Sequence, residues 1–398
     1  MRILQLHTRY RQQGGEDAVV DSEAEQLRDA GHDVRQLIEQ NPDRPISSIG
    51  GVVMSPWNPA AVRRLRREIA DFKPDVAHVH NTWFAMSPAV IRRLKSARIP
   101  VVMTLHNYRL TCANGILFRD GKPCEVCVGT SPWHAVAYGC YRDSRVLSVP
   151  AAATISLHQV LGTWTRSVDR FLVFTEFQRD LMARAGLSGK KITVKPNSVP
   201  DPGPRIRPAS TSTTILYAGR ISKEKGIDYL VEAWRALEPS SLQLVIAGDG
   251  PMLDEIRRDL PTSVVSLGAV PKDRLRTLML SARAAILPSV WYEGMPLVML
   301  ESFAAGLPVA ASDLGAQGSI VARTLGTDWL FEAGDKTSVL SVLERLEDDD
   351  WCDSASRAAR AAFDERFTEG RAVEQLQDIY RASIKTNEDH APRQHEAQ

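Results

Sequence analysis

The 398-residue chain carries 49 Lys and Arg against 48 Asp and Glu, and is 43% hydrophobic and 24% charged. That is the balance of a soluble globular enzyme long enough for two ordinary domains. No apolar run approaches the roughly 20 residues of a membrane-spanning helix, and the opening M-R-I-L-Q-L-H reads as a short strand rather than a signal peptide. A cytoplasmic location is therefore expected.

The net charge of +1 hides a split, since residues 1–200 hold 27 basic against 18 acidic side chains and the remainder 22 against 30. Arg63, Arg64, Arg66 and Arg67, then Arg92, Arg93, Lys95 and Arg98, fall on two predicted helices. Such faces are either solvated or meet an anionic acceptor or membrane surface, which would bring the protein to the inner face of the cell membrane. No nucleic-acid motif and no interleaving of aromatic with basic residues accompanies the charge, so no nucleic-acid partner is expected.

In chain order, strands are predicted at residues 2–6, 34–38, 76–80, 100–105 and 171–175, and helices at 16–30, 60–72, 87–96 and 176–185. The Pro- and Gly-rich stretch from Pro200 to Pro208 reads as a linker. The alternation then restarts, with strands at 214–217, 243–247, 264–267, 284–288 and 308–311 and helices at 226–237, 251–260 and 272–281. Strands regularly separated by helices mean right-handed βαβ units and parallel sheets. The expected fold is α/β: two doubly wound, Rossmann-like domains at 1–200 and 211–370, joined by a linker at 201–210 and facing across a cleft. A helix at 371–384 is expected to pack back on the N-terminal domain, and a polar tail at 385–398 to be disordered. Ligands in such folds bind beyond the carboxyl ends of the strands.

Four strand-end loops carry chemistry. Gly14-Gly15-Glu16 precedes the first helix, where paired glycines let the backbone approach a phosphate. In Gly219-Arg220-Ile221-Ser222-Lys223-Glu224-Lys225-Gly226, the glycine leaves room at the strand end, while Arg220 and Lys225 can reach one anion and neutralise a leaving diphosphate without a metal. Gly248-Asp249-Gly250-Pro251 shapes a turn. Glu293-Gly294-Met295-Pro296-Leu297 leads into a helix that ends near Gly306, with Pro296 in its first turn and Glu301 inside it. Glu301 among Val298, Met299, Leu300 and Phe303 is costly unless hydrogen-bonded, and sugar or ribose hydroxyls would serve. Taken alone, Glu301 could instead pair with an internal arginine, Glu293 could cap the helix, and Arg220 and Lys225 could be solvated.

Together, Glu293 and Glu301 with seven residues between them, the G-R-x-x-x-x-K-G run and the N-terminal Gly-Gly resemble glycosyltransferase family 4, a group of retaining, nucleotide-sugar-dependent enzymes with the GT-B fold. The resemblance spans about residues 1–383. It implies that Arg220 and Lys225 hold the diphosphate, that Glu301 accepts from the ribose, and that Glu293 contacts the donor sugar beside Gly294, Met295, Pro296 and Leu297. It also implies that Gly14 and Gly15 approach the phosphates, that Val270 lies by the base, and that His106 in V-M-T-L-H-N-Y stands by the reacting sugar. No cofactor is implied for the reaction. The implied activity is retaining transfer of a sugar to a hydroxyl of a glycan or lipid-linked acceptor, as in cell-envelope polysaccharide or glycolipid synthesis. The alternatives are a sugar-nucleotide epimerase of the same architecture and a non-catalytic sugar-nucleotide-binding subunit.

Cys112, Cys124, Cys127 and Cys140 cluster as Cys-x11-Cys-x2-Cys-x12-Cys within an insert at 107–145. Four thiols around a central C-x-x-C favour a structural zinc site over disulfides, redox chemistry or unlinked thiols, because the segment between them looks unable to hold itself with a core.

Overall fold

The computed structural model describes residues 1–9, 14–41, 55–205, 207–237 and 240–389. Contacts divide the chain into two compact units. One comprises Met1–Ile116, Glu125–Lys195 and the chain from Ala372, and the other Leu117–Cys124 and Pro196–Arg371.

The strands of the first half are β1 (Arg2–Arg9), β2 (Asp33–Gln40), β3 (Val76–Asn81), β4 (Val101–Thr104), the two-residue hairpin β5 (Phe118–Arg119) and β6 (Lys122–Pro123), β7 (Arg170–Val173) and β8 (Ile192–Val194). The second half adds β9 (Thr214–Ala218), β10 (Gln243–Ala247), β11 (Val264–Gly268), β12 (Ala284–Leu287), β13 (Val309–Ser312) and β14 (Leu330–Phe331). The first unit has a parallel sheet in the order β2-β1-β3-β4-β7-β8, and the second one in the order β11-β10-β9-β12-β13-β14. Central strands β3, β12 and β13 are buried along their whole length, as strands covered on both faces must be. In each sheet the strand order reverses once, beside β1 and between β9 and β12. The loops leaving those strands part there, and that is where doubly wound sheets bind ligands.

Two glycines let the β9 loop close down. Gly226 has φ +67, and a Cβ on it would run into the Pro288 carbonyl at the end of β12. A Cβ on Gly250 would lie 2.7 Å from the Ile221 nitrogen, so no side chain fits at either position.

The last helix, Glu369–Asp389, belongs to the first unit from Ala372 on. Its Leu376 and Tyr380 join Ile3, Val76, Val102 and Leu172 in one buried cluster. The helix does not stop at 384: Ile384 packs on that cluster, and the Asn387 side chain donates to the Arg98 carbonyl at 2.8 Å. These contacts order residues 385–389, which the polar composition marks as disordered. Residues 390–398 of that tail, like Ile206 of the linker, lie outside the described residues.

The insert also differs from expectation. Trp83, Phe84, Ala113, Ala135, Tyr141, Ala151 and Ile155 form an apolar core under it, and the helix Arg145–Val160 runs through Pro150 with its start capped by Ser144. An internal proline masks that helix in the sequence.

Gly226→Ala should lower stability by about 2–3 kcal/mol through strain and overpacking, read as a lower urea midpoint; an unchanged midpoint would mean that the loop closes differently.

Candidate functional site

The second unit brings the β9 and β12 loops together. The Val290 amide donates to the Glu224 carbonyl at 3.0 Å, and the Tyr229 hydroxyl donates to the Pro288 carbonyl. On this frame Lys225 Nζ pairs with Glu293 Oε1. The same oxygen accepts from Ser289 Oγ at 2.7 Å and Trp291 Nε1 at 3.1 Å. Glu293 is only 6% exposed, so these donors replace the water it has lost. Arg220 is exposed on the same loop, and its carbonyl accepts from the Tyr217 hydroxyl at 2.7 Å.

Glu293 does not cap the following helix. Pro296 is the N-cap of Leu297–Ala304, and no side chain caps it, which leaves helix-start amides for an external acceptor. Met295 is buried, and its sulfur accepts from the Asn197 amide at 3.3 Å.

Glu301 lines a cavity of about 220 Å³ with Pro200, Pro202, Lys272, Arg276 and Met279. Burial pushes its carboxyl above the ordinary value, and the Lys272 charge pulls partly back. Among the described residues it makes no ion pair, so the internal-arginine reading fails. Val270 is half-buried between Gly268, the last residue of β11, and the helix Lys272–Ser281 that forms one wall of this cavity.

In the first unit, Gly14 is the N-cap of the helix Gly15–Asp29, with open space where a Cβ would stand. Its amide is taken by Asp17 Oδ2 at 3.1 Å. With Glu16 also in the first turn, the positive end of this helix is already matched by carboxylates, contrary to a bare phosphate cradle.

His106 follows β4 and is half-buried. Its Nε2 lies 3.0 Å from His80 Nδ1, and His80 Nε2 lies 3.4 Å from Glu23 Oε1. Glu23 is buried and accepts from Gln5 Nε2 at 3.0 Å. It also faces His78 Nδ1 at 2.9 Å and Lys195 Nζ at 3.8 Å. Thr104 Oγ1 and the Tyr380 hydroxyl hold the two nitrogens of His78, each at 2.7 Å. Burial, then the neighbouring His78 charge, lowers the His80 pKa to about 3, and burial holds His106 well below its ordinary value. Burial pushes the Glu23 carboxyl up, but the two histidines outweigh it and hold it well below the usual range.

Beyond His106, none of this network was read from the sequence. Its signal is H-x-H in the wholly buried β3, where apolar residues are the rule. Glu23, His78 and His80 bring ligand atoms within 4.8 Å of one another, with His78 Nδ1 2.9 Å from Glu23 Oε1 and the Lys195 ammonium 3.8 Å from Oε2. Among the described residues, no three sulfurs of Cys112, Cys124, Cys127 and Cys140 come within 4.8 Å of one another. Cys112 is buried and Cys140 packs on the apolar core of the insert.

Of the basic stretches, Arg63, Arg66 and Arg67 are exposed. Arg92 bonds the Leu161 carbonyl at 2.9 Å and Lys95 bonds Asp169 at 2.6 Å, so part of the second stretch serves the fold. Among the described residues no helix is long and apolar enough to cross a membrane.

A family model described as glycosyl transferases group 1 matches residues 212–349, and one described as a glycosyl transferase 4-like domain matches residues 14–198. The chain belongs to these glycosyltransferases and has their GT-B fold of two Rossmann-like domains. It is 25% identical to an uncharacterized glycosyltransferase of Methanocaldococcus jannaschii over 321 residues, 79% of this chain and 76% of that one. It is also 25% identical over 392 residues to the phosphatidyl-myo-inositol mannosyltransferase of Mycobacterium leprae, 92% of each chain. The solved structure of Anabaena HepE in complex with UDP-glucose matches with a TM-score of 0.67 at 16% identity, over 96% of this chain and 100% of that one.

The neutral histidines make acid stability predictable. His80 and His106 bind protons in the unfolded chain below pH 6.5 but not in the fold, so stability is complete above that pH and falls as pH drops through it, by up to about 1.4 kcal/mol per pH unit for each group. Glu23, ionised in the fold, adds a loss in the same direction below its ordinary value. The urea midpoint should therefore be lower at pH 5.5 than at pH 7.5; an equal or higher midpoint would mean that these rings are charged in the fold.

Proposed function

We propose that the protein is a retaining glycosyltransferase that moves a sugar from a nucleoside diphosphate donor to a hydroxyl of a glycan or lipid-linked acceptor. The observation that carries this reading is the Lys225–Glu293 pair. A buried carboxylate is held in one orientation by Lys225, Ser289 and Trp291, next to uncapped helix amides and an exposed arginine. Arg220 and Lys225 stabilise the charge that grows on the departing diphosphate, and Glu293 positions the donor sugar with the amides of Gly294, Met295 and Leu297. Glu301 accepts from the ribose hydroxyls in its cavity, with Val270 by the base. In the first unit, His106 bonds a sugar hydroxyl. Transfer passes through an oxocarbenium-like state. Front-face attack, with the leaving oxygen taking the acceptor proton, gives retention without assigning Glu293 as nucleophile.

A UDP-glucose complex of a protein of the same fold and a relative named for a phosphoinositide acceptor support a nucleotide-sugar donor and a lipid-linked acceptor. Exposed Trp133, Tyr138, Val146 and Val149, interspersed with exposed Arg142 and Arg145, support contact with an anionic membrane.

In a thermal-shift panel of UDP, GDP and ADP with their glucose and mannose conjugates, one base series should raise the melting temperature. Arg220→Ala should then cost roughly 10²–10³ in transfer rate with the nucleotide sugar so identified; wild-type turnover would remove it from the diphosphate site. Flotation with phosphatidylglycerol vesicles should be salt-sensitive and weakened by Val146→Glu, whereas absence of binding would leave the patch solvated.

A further inference from the structure

His106 carries two ring nitrogens, and which one holds the proton decides whether it offers a sugar hydroxyl a donor or an acceptor. The buried network answers this by proton counting. Between His106 Nε2 and His80 Nδ1, 3.0 Å apart, there is one proton. If His80 Nδ1 held it, neutral His80 would turn a bare Nε2 lone pair toward Glu23 Oε1 at 3.4 Å. An ionised oxygen facing a lone pair in a water-free site is repulsive. If His106 Nε2 holds it, His80 instead carries its proton on Nε2, the nitrogen that lies 3.4 Å from the carboxylate, and the contact is attractive. Glu23 cannot turn away, because Gln5 donates to the same oxygen at 3.0 Å and the Lys195 ammonium lies 3.8 Å from the other. His78 Nδ1 also meets this oxygen, at 2.9 Å, and a bare lone pair on His80 Nε2 beside it would still face the carboxylate at 3.4 Å.

We infer that Glu23 and His80 are positioning residues that fix His106 as its Nε2–H tautomer, leaving His106 Nδ1 as a hydrogen-bond acceptor for a sugar hydroxyl. The inference rests on the reading of His106 as a residue of the active site. Among the described residues nothing else bonds His106 Nδ1, so that nitrogen is left for a ligand. The same carboxylate–imidazole logic orients metal-bound and catalytic histidines elsewhere, with a second group deciding the tautomer of the first; here it passes through one additional ring.

The test is ¹⁵N-histidine NMR of the full chain, with His106 assigned by loss of its signals in His106→Gln. A protonated, pyrrole-type Nε2 and an unprotonated, pyridine-type Nδ1 are expected; a protonated Nδ1 on His106 overturns the inference whatever the activity. In Glu23→Gln, which keeps the shape but removes the charge, the His106 tautomer should become mixed; an unchanged spectrum overturns the role of Glu23. His80→Phe should lower kcat about 10- to 100-fold through misorientation while donor KM moves less than about threefold. His80→Asn, which can put an amide oxygen where Nδ1 stood, should recover most of that loss. Equal kcat in His80→Phe and wild type would end the positioning role. If His106→Gln itself turns over at the wild-type rate, the active-site reading fails, and the spectrum still judges the tautomer independently.

Discussion

A carboxylate taken out of water must be met by donors, and Glu293 is met three times on one oxygen, by Lys225, Ser289 and Trp291. Breaking one side of such a buried pair costs far more than the pair contributes. The loops that supply the partners are therefore bound to one geometry. The topology of the second sheet makes that geometry available: β9 and β12 are neighbours although the chain visits β10 and β11 between them. Gly226 and Gly250 then remove the side chains that would keep the loops apart.

The first unit solves a different problem with similar means. Histidines 78, 80 and 106 stand at the ends of β3 and β4, and Glu23 reaches them from the first long helix. Burial holds the pKa values of His80 and His106 down, and His78 and His80 hold that of the Glu23 carboxyl below the usual range. Tyr380, from the far end of the chain, closes the network, so the C-terminal helix bears on the chemistry of a strand it does not adjoin in sequence. Both units thus hold a buried carboxylate among several donors, with Arg220 exposed beside one and His106 half-buried beside the other.

Much of this was legible in the sequence. The strand-helix alternation gave both parallel sheets, and the spacing of Glu293 and Glu301 placed one in a loop and the other in a helix. What escaped depended on three-dimensional proximity. The H-x-H of β3 looks like two core residues until Glu23 and His106 are beside it. The helix through Pro150 is stabilised by packing that outweighs a local breaker. The insert looked coreless in the sequence, whereas Trp83 and Phe84 before it and Ala151 and Ile155 after it pack with Ala113, Ala135 and Tyr141 of the insert itself. Polar residues 385–389 read as tail, yet Ile384 and Asn387 anchor them.

The central claim is that the Lys225–Glu293 pair acts on a bound nucleotide sugar as one unit. The most direct measurement is a double-mutant cycle on kcat/KM for nucleoside diphosphate release, using wild type, Lys225→Met, Glu293→Gln and the double variant, each checked for folding by circular dichroism. Each single change should cost at least about 100-fold, and the double change little more than either alone. Losses that simply multiply, or single variants that keep wild-type turnover, would contradict it and reduce the pair to a structural tie.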